Sequence, residues 1–130
     1  MATITNTPHL CLTICAFRNT ELTEQEYHDY MAYKHAPLVK PLMDKYGILK
    51  YTMTHNSTDT RLLMSKIVDP QFANIADYDC IVQIVFRHVD DFVRLKQDPE
   101  YQRLVAPDHE NFADTKRSRY LCSLDYDGAY

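Results

Sequence analysis

Residues 22–55 constrain the fold most, because they predict one helix that leads directly into one strand. Thr23 and Glu26 have capping-box spacing: the threonine hydroxyl accepts an early backbone N–H, and the glutamate accepts the N–H of the cap residue. Apolar residues then recur at the helical period until Gly47, a residue that commonly ends helices because it adopts the left-handed conformation without penalty. From residue 49 onward, apolar and polar residues alternate, which is the period of a strand.

Two prolines inside this helix predict an irregularity. Pro37 and Pro41 have no backbone N–H to donate, and each ring crowds the carbonyl four residues earlier. Pro37 would leave the Tyr33 carbonyl without its usual donor, so we expect a kink or a restart at residues 34–36. His35 lies at this point, where it either completes the hydrogen bonding of a broken helix or takes part in chemistry.

The rest of the chain supplies three more strands and a second helical region. Residues 9–17 and 80–86 are apolar on both faces, as central strands covered on both sides are. Residues 89–116 predict a helix that restarts at Asp98-Pro99, and residues 119–126 predict a final strand. Residues 1–8 resemble a loose leader. Residues 56–79 form a long connection with a helical turn or two, either a functional flap or a cover for an open sheet edge.

The order of these elements predicts a single α+β domain over residues 1–130. Two β-α-β halves indicate a ferredoxin-like βαββαβ sandwich, in which a four-stranded antiparallel sheet carries two helices on one face. The helices can cover only that face, so the second face of the apolar strands needs another cover. Either the flap or the sheet of a second copy would provide it. Two-fold dimers are the commonest assembly, and the second arrangement would be a homodimer forming a dimeric α+β barrel.

Composition excludes several classes of function. The net charge is −4 and no basic stripe is present, so we expect no nucleic-acid partner. No apolar run approaches a membrane span, and the N-terminus lacks a signal-peptide pattern, which predicts a cytoplasmic protein. Two glycines leave no material for a phosphate-binding loop, so a nucleotide or flavin cofactor is not expected. The four cysteines form no CxxC pair and no HxxxH pair occurs, so we expect no metal site.

Acid–base chemistry on a bound small molecule is the function that these exclusions leave. A histidine with a near-neutral pKa can take a proton, and a tyrosine or a second histidine can donate one. His28 and His88 lie in polar segments and are expected to be solvated. Asp108 and Glu110 flank His109, where a carboxylate can hold the tautomer of the ring. The histidines of interest are therefore His9, His35, His55 and His109.

Three motifs in this chain resemble those of a known family. LTEQEYHDYMAYKHAPLV, at residues 22–39, is similar to the first helix of the EthD-like branch of the dimeric α+β barrel proteins. YGILKYTMTH and PDHENFADTKRS resemble its small fungal polyketide-tailoring members, among them decarboxylases of anthraquinone-type pathways and the dehydratase of the aurofusarin naphthopyrone pathway. The similarity spans residues 9–125. The first helix of this family usually has tryptophan where this chain has Met31, a change that can reshape the pocket.

The resemblance implies a cofactor-independent lyase, a dehydratase or a decarboxylase, that acts on an aromatic polyketide as a homodimer. In the dehydratase version a histidine removes the proton alpha to a carbonyl, and Tyr51 or another histidine protonates the departing hydroxyl. In the decarboxylase version a histidine or Lys34 holds a β-keto acid. Alternatives are a cofactor-free monooxygenase or anthrone oxidase, a polyketide cyclase, and a non-catalytic polyketide-binding dimer. The expected catalytic residues are His35, His55, His109 and Tyr51, and the expected substrate-binding residues are Tyr27, Tyr30, Lys34, Gln83 and His9.

Overall fold

The structure, a computed structural model, describes residues 8–125 and contains one four-stranded antiparallel sheet. The order of the strands is β2-β3-β1-β4, the order of a ferredoxin-like sandwich. The predicted α+β sandwich is therefore confirmed. The predicted leader, except for residue 8, and the predicted last residue of the final strand lie outside the described residues. The strands are β1 His9–Ala16, β2 Lys50–His55, β3 Cys80–Phe86 and β4 Arg119–Asp125.

The first helical region begins and ends as the sequence predicts. The N–H of Glu26 donates to Thr23 Oγ1 at 3.1 Å, and the N–H of Thr23 donates to Glu26 Oε1 at 3.0 Å. Gly47 follows the last helix of this region with a φ of 73°, the left-handed conformation expected of it. The region comprises α1 Glu24–Tyr30, a π-helical turn at Met31–His35, and α2 Ala36–Lys45.

The irregularity predicted from Pro37 takes the form of this first π-helical turn. A π-helical turn joins residues five apart, as the N–H of Ala36 does with the carbonyl of Met31. The wider turn accommodates Pro37, which has no backbone N–H to donate. The flanking residues Tyr30 and Ala36 keep right-handed helical dihedrals. The helix therefore continues through the irregularity instead of stopping and restarting.

The second helical region restarts where the sequence predicts. The backbone of Asp98 is extended, and its Oδ1 accepts the N–H of Glu100 at 2.8 Å. The helical elements after β2 are α3 Thr58–Leu62, a 3₁₀ turn at Leu63–Lys66, α4 Val89–Gln97, a second π-helical turn at Tyr101–Val105, and α5 His109–Phe112. Within the connection formed by residues 56–79, α3 and the 3₁₀ turn supply the expected helical turns.

The hydrophobic core lies between one face of the sheet and the helices. Alternate residues of the strands point into it, and the buried faces of the two π-helical turns and of α2 and α4 close it. The second face of the sheet is also apolar in part, since Val85 is 6% exposed there, while Leu121 is 58% exposed. No helix within residues 8–125 is long and apolar enough to cross a membrane.

Candidate active site

A cavity of about 420 Å³ lies between the core face of the sheet and the helices. Its volume falls within the range of small-molecule sites, roughly 300–1,000 Å³. Apolar residues form most of its wall, and the majority of them come from β1, β3, α2 and α4. The side chains with polar groups that line it are His35, Tyr51, Lys96, Tyr101, His109, Thr115, Ser118 and Tyr120.

The two π-helical turns contribute to this cavity in the same way. In the first turn, Met31 and His35 are buried and line the cavity; in the second, Tyr101 and Val105 do. These are the first and fifth residues of each turn. Each of the two turns therefore directs one ring with a titratable group into the same space.

His35 has one ring nitrogen committed to the protein. It is 5% exposed, and its Nδ1–H donates to Asp108 Oδ2 at 2.9 Å. Because an ionised carboxylate only accepts hydrogen bonds, the proton of the neutral ring is on Nδ1. Nε2 then carries a lone pair and has no hydrogen-bond partner among the described residues. This arrangement suits a general base.

Asp108 is the acceptor for three side chains. The Tyr30 hydroxyl donates to Oδ1, Asn111 Nδ2 donates to Oδ1 at 3.0 Å, and His35 donates to Oδ2. Burial raises the pKa of Asp108, but the three hydrogen bonds outweigh burial and lower the pKa below its ordinary value. Asp108 is therefore ionised at neutral pH, as the tautomer of His35 requires.

His109 packs directly against His35 in the cavity wall, with ring centroids 5.0 Å apart. Burial lowers the pKa of His35, and the carboxylate of Asp108 opposes this shift. Burial also lowers the pKa of His109, and the charge of His35 lowers it further. Since two such close rings resist carrying two charges, the pair takes up its protons one at a time.

Two tyrosines supply hydroxyl donors to the same cavity. Burial raises the pKa of Tyr101 to about 12, and burial also raises the pKa of Tyr51. Both phenols therefore keep their protons at neutral pH and can donate to a developing negative charge. Tyr51 enters from β2 and Tyr101 from the second π-helical turn. Of the four residues predicted as catalytic, the structure thus brings three together in the cavity: His35, His109 and Tyr51.

His55, the fourth predicted catalytic residue, lies outside this cavity at the end of β2. Its ring packs against His28 at a centroid distance of 4.5 Å and against Tyr27 at 5.9 Å. Tyr27 is 2% exposed, part of the core, and its hydroxyl has no hydrogen-bond partner among the described residues. His28, expected to be solvated, is thus packed against another ring. The geometry separates His55 from the pair formed by His35 and His109.

The other residues predicted to bind substrate also lie outside the cavity. Tyr30 supports Asp108, and the ammonium group of Lys34 lies 5.3 Å from the centroid of the Tyr30 ring. His9 and Gln83 belong to the second face of the sheet, because side chains alternate between faces along a strand. The amide of Gln83 donates to Thr13 Oγ1 at 3.5 Å on that face.

The structure places three residues at the site that the sequence did not single out for these roles. Tyr101 and Lys96 line the cavity, and Asp108 supports it through its hydrogen bond with His35. We expected a carboxylate next to His109 in sequence to hold its tautomer. Instead, Asp108 binds His35, which is 73 residues away, and Glu110 accepts the hydroxyl of Thr115. Among residues 8–125, no group of three His, Cys, Asp or Glu side chains is placed to hold a metal ion.

Residues 19–116 match the EthD domain model, which covers most of the chain. The chain belongs to the EthD family. It is 54% identical to Dehydratase aurZ of Gibberella zeae over 90% of this chain and 78% of that protein. It is also 54% identical to Decarboxylase nsrE of Aspergillus novofumigatus over 85% of this chain and 73% of that protein. The Conidial pigment biosynthesis dehydratase EthD of Metarhizium robertsii is 54% identical over 84% of this chain and 77% of that protein.

A solved structure supports the fold independently. The crystal structure of an EthD family protein from Bacillus halodurans matches with a TM-score of 0.59 over 88% of this chain and 96% of that chain. The two sequences are 13% identical, so this likeness establishes the fold alone. The predicted membership of an EthD-like fungal subgroup is confirmed by the relatives from Gibberella, Aspergillus and Metarhizium.

Proposed function

We propose that this protein is a lyase that removes water or carbon dioxide from an aromatic polyketide in the cavity between sheet and helices. The relatives named as dehydratases and decarboxylases, each 54% identical, support the reaction class. The observation that carries the proposal is the buried His35–Asp108 pair, which leaves one histidine nitrogen free beside an apolar cavity. Apolar walls suit a fused aromatic ring system and exclude water from it.

In a dehydration, Nε2 of His35 takes the proton alpha to a carbonyl, and the electrons of that C–H bond form an enolate. Collapse of the enolate expels the β-hydroxyl group, which takes a proton from His109 or a tyrosine and leaves as water. Formation of an aromatic ring drives this step. Asp108 holds His35 in place and stabilises the imidazolium that forms, so the proton transfer contributes roughly 10²- to 10⁴-fold to the rate.

In a decarboxylation, the C–C bond of a β-keto acid breaks, carbon dioxide leaves, and the electron pair remains as an enolate. Tyr51, Tyr101 or a protonated histidine stabilises the enolate by a hydrogen bond, and a protonated histidine then protonates its carbon. Dehydratases and decarboxylases are equally similar to this chain, so identity does not select one of the two reactions. Both versions use protein side chains alone as base and acid, and we propose that neither needs a cofactor.

We also propose that the protein is a cytoplasmic homodimer that forms through the second face of the sheet. Its support is the apolar character of that face, where Leu121 is exposed to solvent and Val85, on the other side of β1, is buried. Size-exclusion chromatography with light scattering tests the dimer. We expect the wild type to run as a dimer and Leu121→Glu to shift it towards monomer; a monomeric wild type would refute this assembly.

Mass analysis of reactions with purified protein tests the lyase. One substrate is a hydroxylated naphthopyrone hemiketal, and the other is a β-keto-acid precursor of an anthraquinone. Loss of water identifies a dehydratase, and loss of carbon dioxide identifies a decarboxylase, each relative to a control without protein. A gain of oxygen would instead indicate the monooxygenase.

A substitution of His35 distinguishes catalysis from passive binding. His35→Asn keeps an N–H donor for Asp108 but removes the free ring nitrogen. The matched control is His88→Asn, because His88 is exposed and lies outside the cavity. We expect turnover to fall about 10²-fold or more in His35→Asn and to stay at the wild-type level in the control. Equal turnover in both variants would favour a non-catalytic binding protein.

A further inference from the structure

Lys96 is the only lysine or arginine that lines the cavity among the described residues. It follows the fully buried Leu95 in α4, and its side chain is exposed at the cavity. Within residues 8–125 no carboxylate forms an ion pair with it, although the neighbouring Arg94 and the nearby Arg103 each have one. In the described part of the chain, the cavity therefore has one lysine charge without an ion-pair partner.

The surroundings of Lys96 favour an anionic ligand. Among the described residues, no aspartate or glutamate side chain lines the cavity, whereas Thr115, Ser118 and Tyr120 do. The hydroxyls of Thr115 and Ser118 already donate to Glu110 and to the Asp114 carbonyl. Burial lowers the pKa of His109 most and the charge of His35 lowers it further, while the carboxylate of Asp108 raises it; the charge of Lys96 adds a smaller lowering. Lys96 thus shares one electrostatic environment with the histidine pair. Next to apolar walls, a charge interacts with an ion more strongly than it would in bulk water.

We propose that Lys96 binds an anionic oxygen of the substrate, so that the cavity selects aromatic polyketides that carry a carboxylate or an ionised phenol. This inference rests on the proposed function and adds the chemical class of its substrate. An ammonium group donates up to three hydrogen bonds and suits a carboxylate or phenolate oxygen. The sequence assigned such a role to Lys34, but its ammonium group lies 5.3 Å from the centroid of the Tyr30 ring and it does not line the cavity.

Binding of an anion would also change the histidine pair. The charge of Lys96 disfavours protonation of His109, and a bound anion offsets that charge. His109 therefore accepts a proton more readily when an anionic substrate is present, which prepares it to act as the acid. Lys96 in this role selects and orients the substrate, while the proton transfers stay with the histidines.

Calorimetric titration with three anthraquinones tests the inference without requiring turnover. The probes carry a carboxylate, a carboxamide or a hydroxyl group at position 2. The proteins are wild type, Lys96→Met, Lys96→Arg and the control Lys40→Met, whose lysine is exposed and does not line the cavity. For wild type, we expect the carboxylate to bind about three- to fivefold more tightly than the carboxamide, as expected of one partly screened ion pair.

Lys96→Met should abolish this preference, Lys96→Arg should retain most of it, and Lys40→Met should leave it unchanged. A preference for the hydroxyl probe that grows with its ionisation, and that depends on Lys96, would identify a phenolate as the ligand. Three results would overturn the inference. They are equal affinity of wild type for all three probes, no binding of any probe, and equal losses of affinity for charged and neutral probes in Lys96→Met. Absence of lyase activity with retained Lys96-dependent binding would refute only the proposed reaction.

Discussion

The Nδ1–H of His35 donates to Oδ2 of Asp108 across 2.9 Å, and this bond joins the end of the first π-helical turn to the residue before α5. Both side chains are less than a tenth exposed. The bond therefore connects the two halves of the chain at the cavity, and it fixes which nitrogen of His35 is free.

Asp108→Asn should impair catalysis more than substrate binding. The amide keeps the shape of the carboxylate but cannot accept from all three donors or stabilise an imidazolium. We expect kcat to fall about 10²- to 10⁴-fold with little change in KM, by analogy with the orienting aspartate of other histidine bases. We also expect the free energy of unfolding to fall by about 1–3 kcal/mol. Steady-state kinetics and urea titrations measure the two effects, with Glu110→Gln as a control. Equal losses in both variants would contradict a specific role for Asp108.

The pH dependence of kcat/KM should reflect the lowered pKa values of the histidine pair. The free base must be unprotonated, so activity is present above its pKa and is lost as the pH falls through it. Because burial lowers the pKa of both His35 and His109, we expect the acidic limb to have its midpoint below 6.5, the ordinary value. A pH–rate profile measured on the wild type checks this. A midpoint above 6.5 would argue against either ring as the base.

His109→Asn should reduce turnover far more than His55→Asn does. His109 lines the cavity 5.0 Å from His35, whereas His55 packs against His28 elsewhere. We expect a loss of about 10²-fold for His109→Asn, the usual contribution of a general acid or base, and a much smaller loss for His55→Asn. Single-turnover mass assays compare the two variants after circular dichroism has established that both are folded. The reverse order of losses would move the active site to the His28–His55 end of the molecule.

Low pH should lower the stability of the fold, in part because the Asp98 carboxylate becomes protonated. Hydrogen bonds from Tyr46 at 2.5 Å, Lys45 at 3.0 Å and the Glu100 backbone lower the pKa of Asp98 to about 2 from an ordinary 3.8. A lowered carboxylate pKa stabilises the fold above the ordinary value, and this contribution is lost as the pH falls towards 2. We expect Asp98→Asn to lower the urea midpoint at pH 6 and to show a weaker dependence on pH between 4 and 2. Parallel midpoint curves for wild type and variant would contradict this assignment.

Local features of the fold could be predicted from the sequence because they depend on neighbouring residues. The capping box at Thr23, the left-handed Gly47 and the restart at Asp98 each involve contacts within a few positions. The bounds of β3 were predicted without error because its apolar run is uninterrupted. The proline pattern likewise predicted an irregular turn at His35, although not its π-helical form.

The site was predicted only in part because its contacts are distant in sequence. His35, His109 and Tyr51 were chosen as chemical groups, but nothing in the sequence pairs His35 with Asp108. Strand alternation does not reveal which face the helices cover when both faces are apolar, so the sequence could not show that Gln83 lies on the face away from the cavity. Lys96 lies on a helix rich in charges and stands out only once the cavity is known.

The shape of the cavity depends on the number of residues in the two π-helical turns as well as on the identity of those residues. Deleting one residue from Met31–His35 would convert this turn into a regular α-helical one, because the five-residue spacing from Met31 to Ala36 would become the four-residue spacing of an α-helix. Val39 and Met43 would keep their places in the cavity wall, and the change would fall on the turn itself, where the spacing between Met31 and His35 is set. A family member that lacks this one-residue excess in either half would need a differently shaped pocket, whatever its histidines.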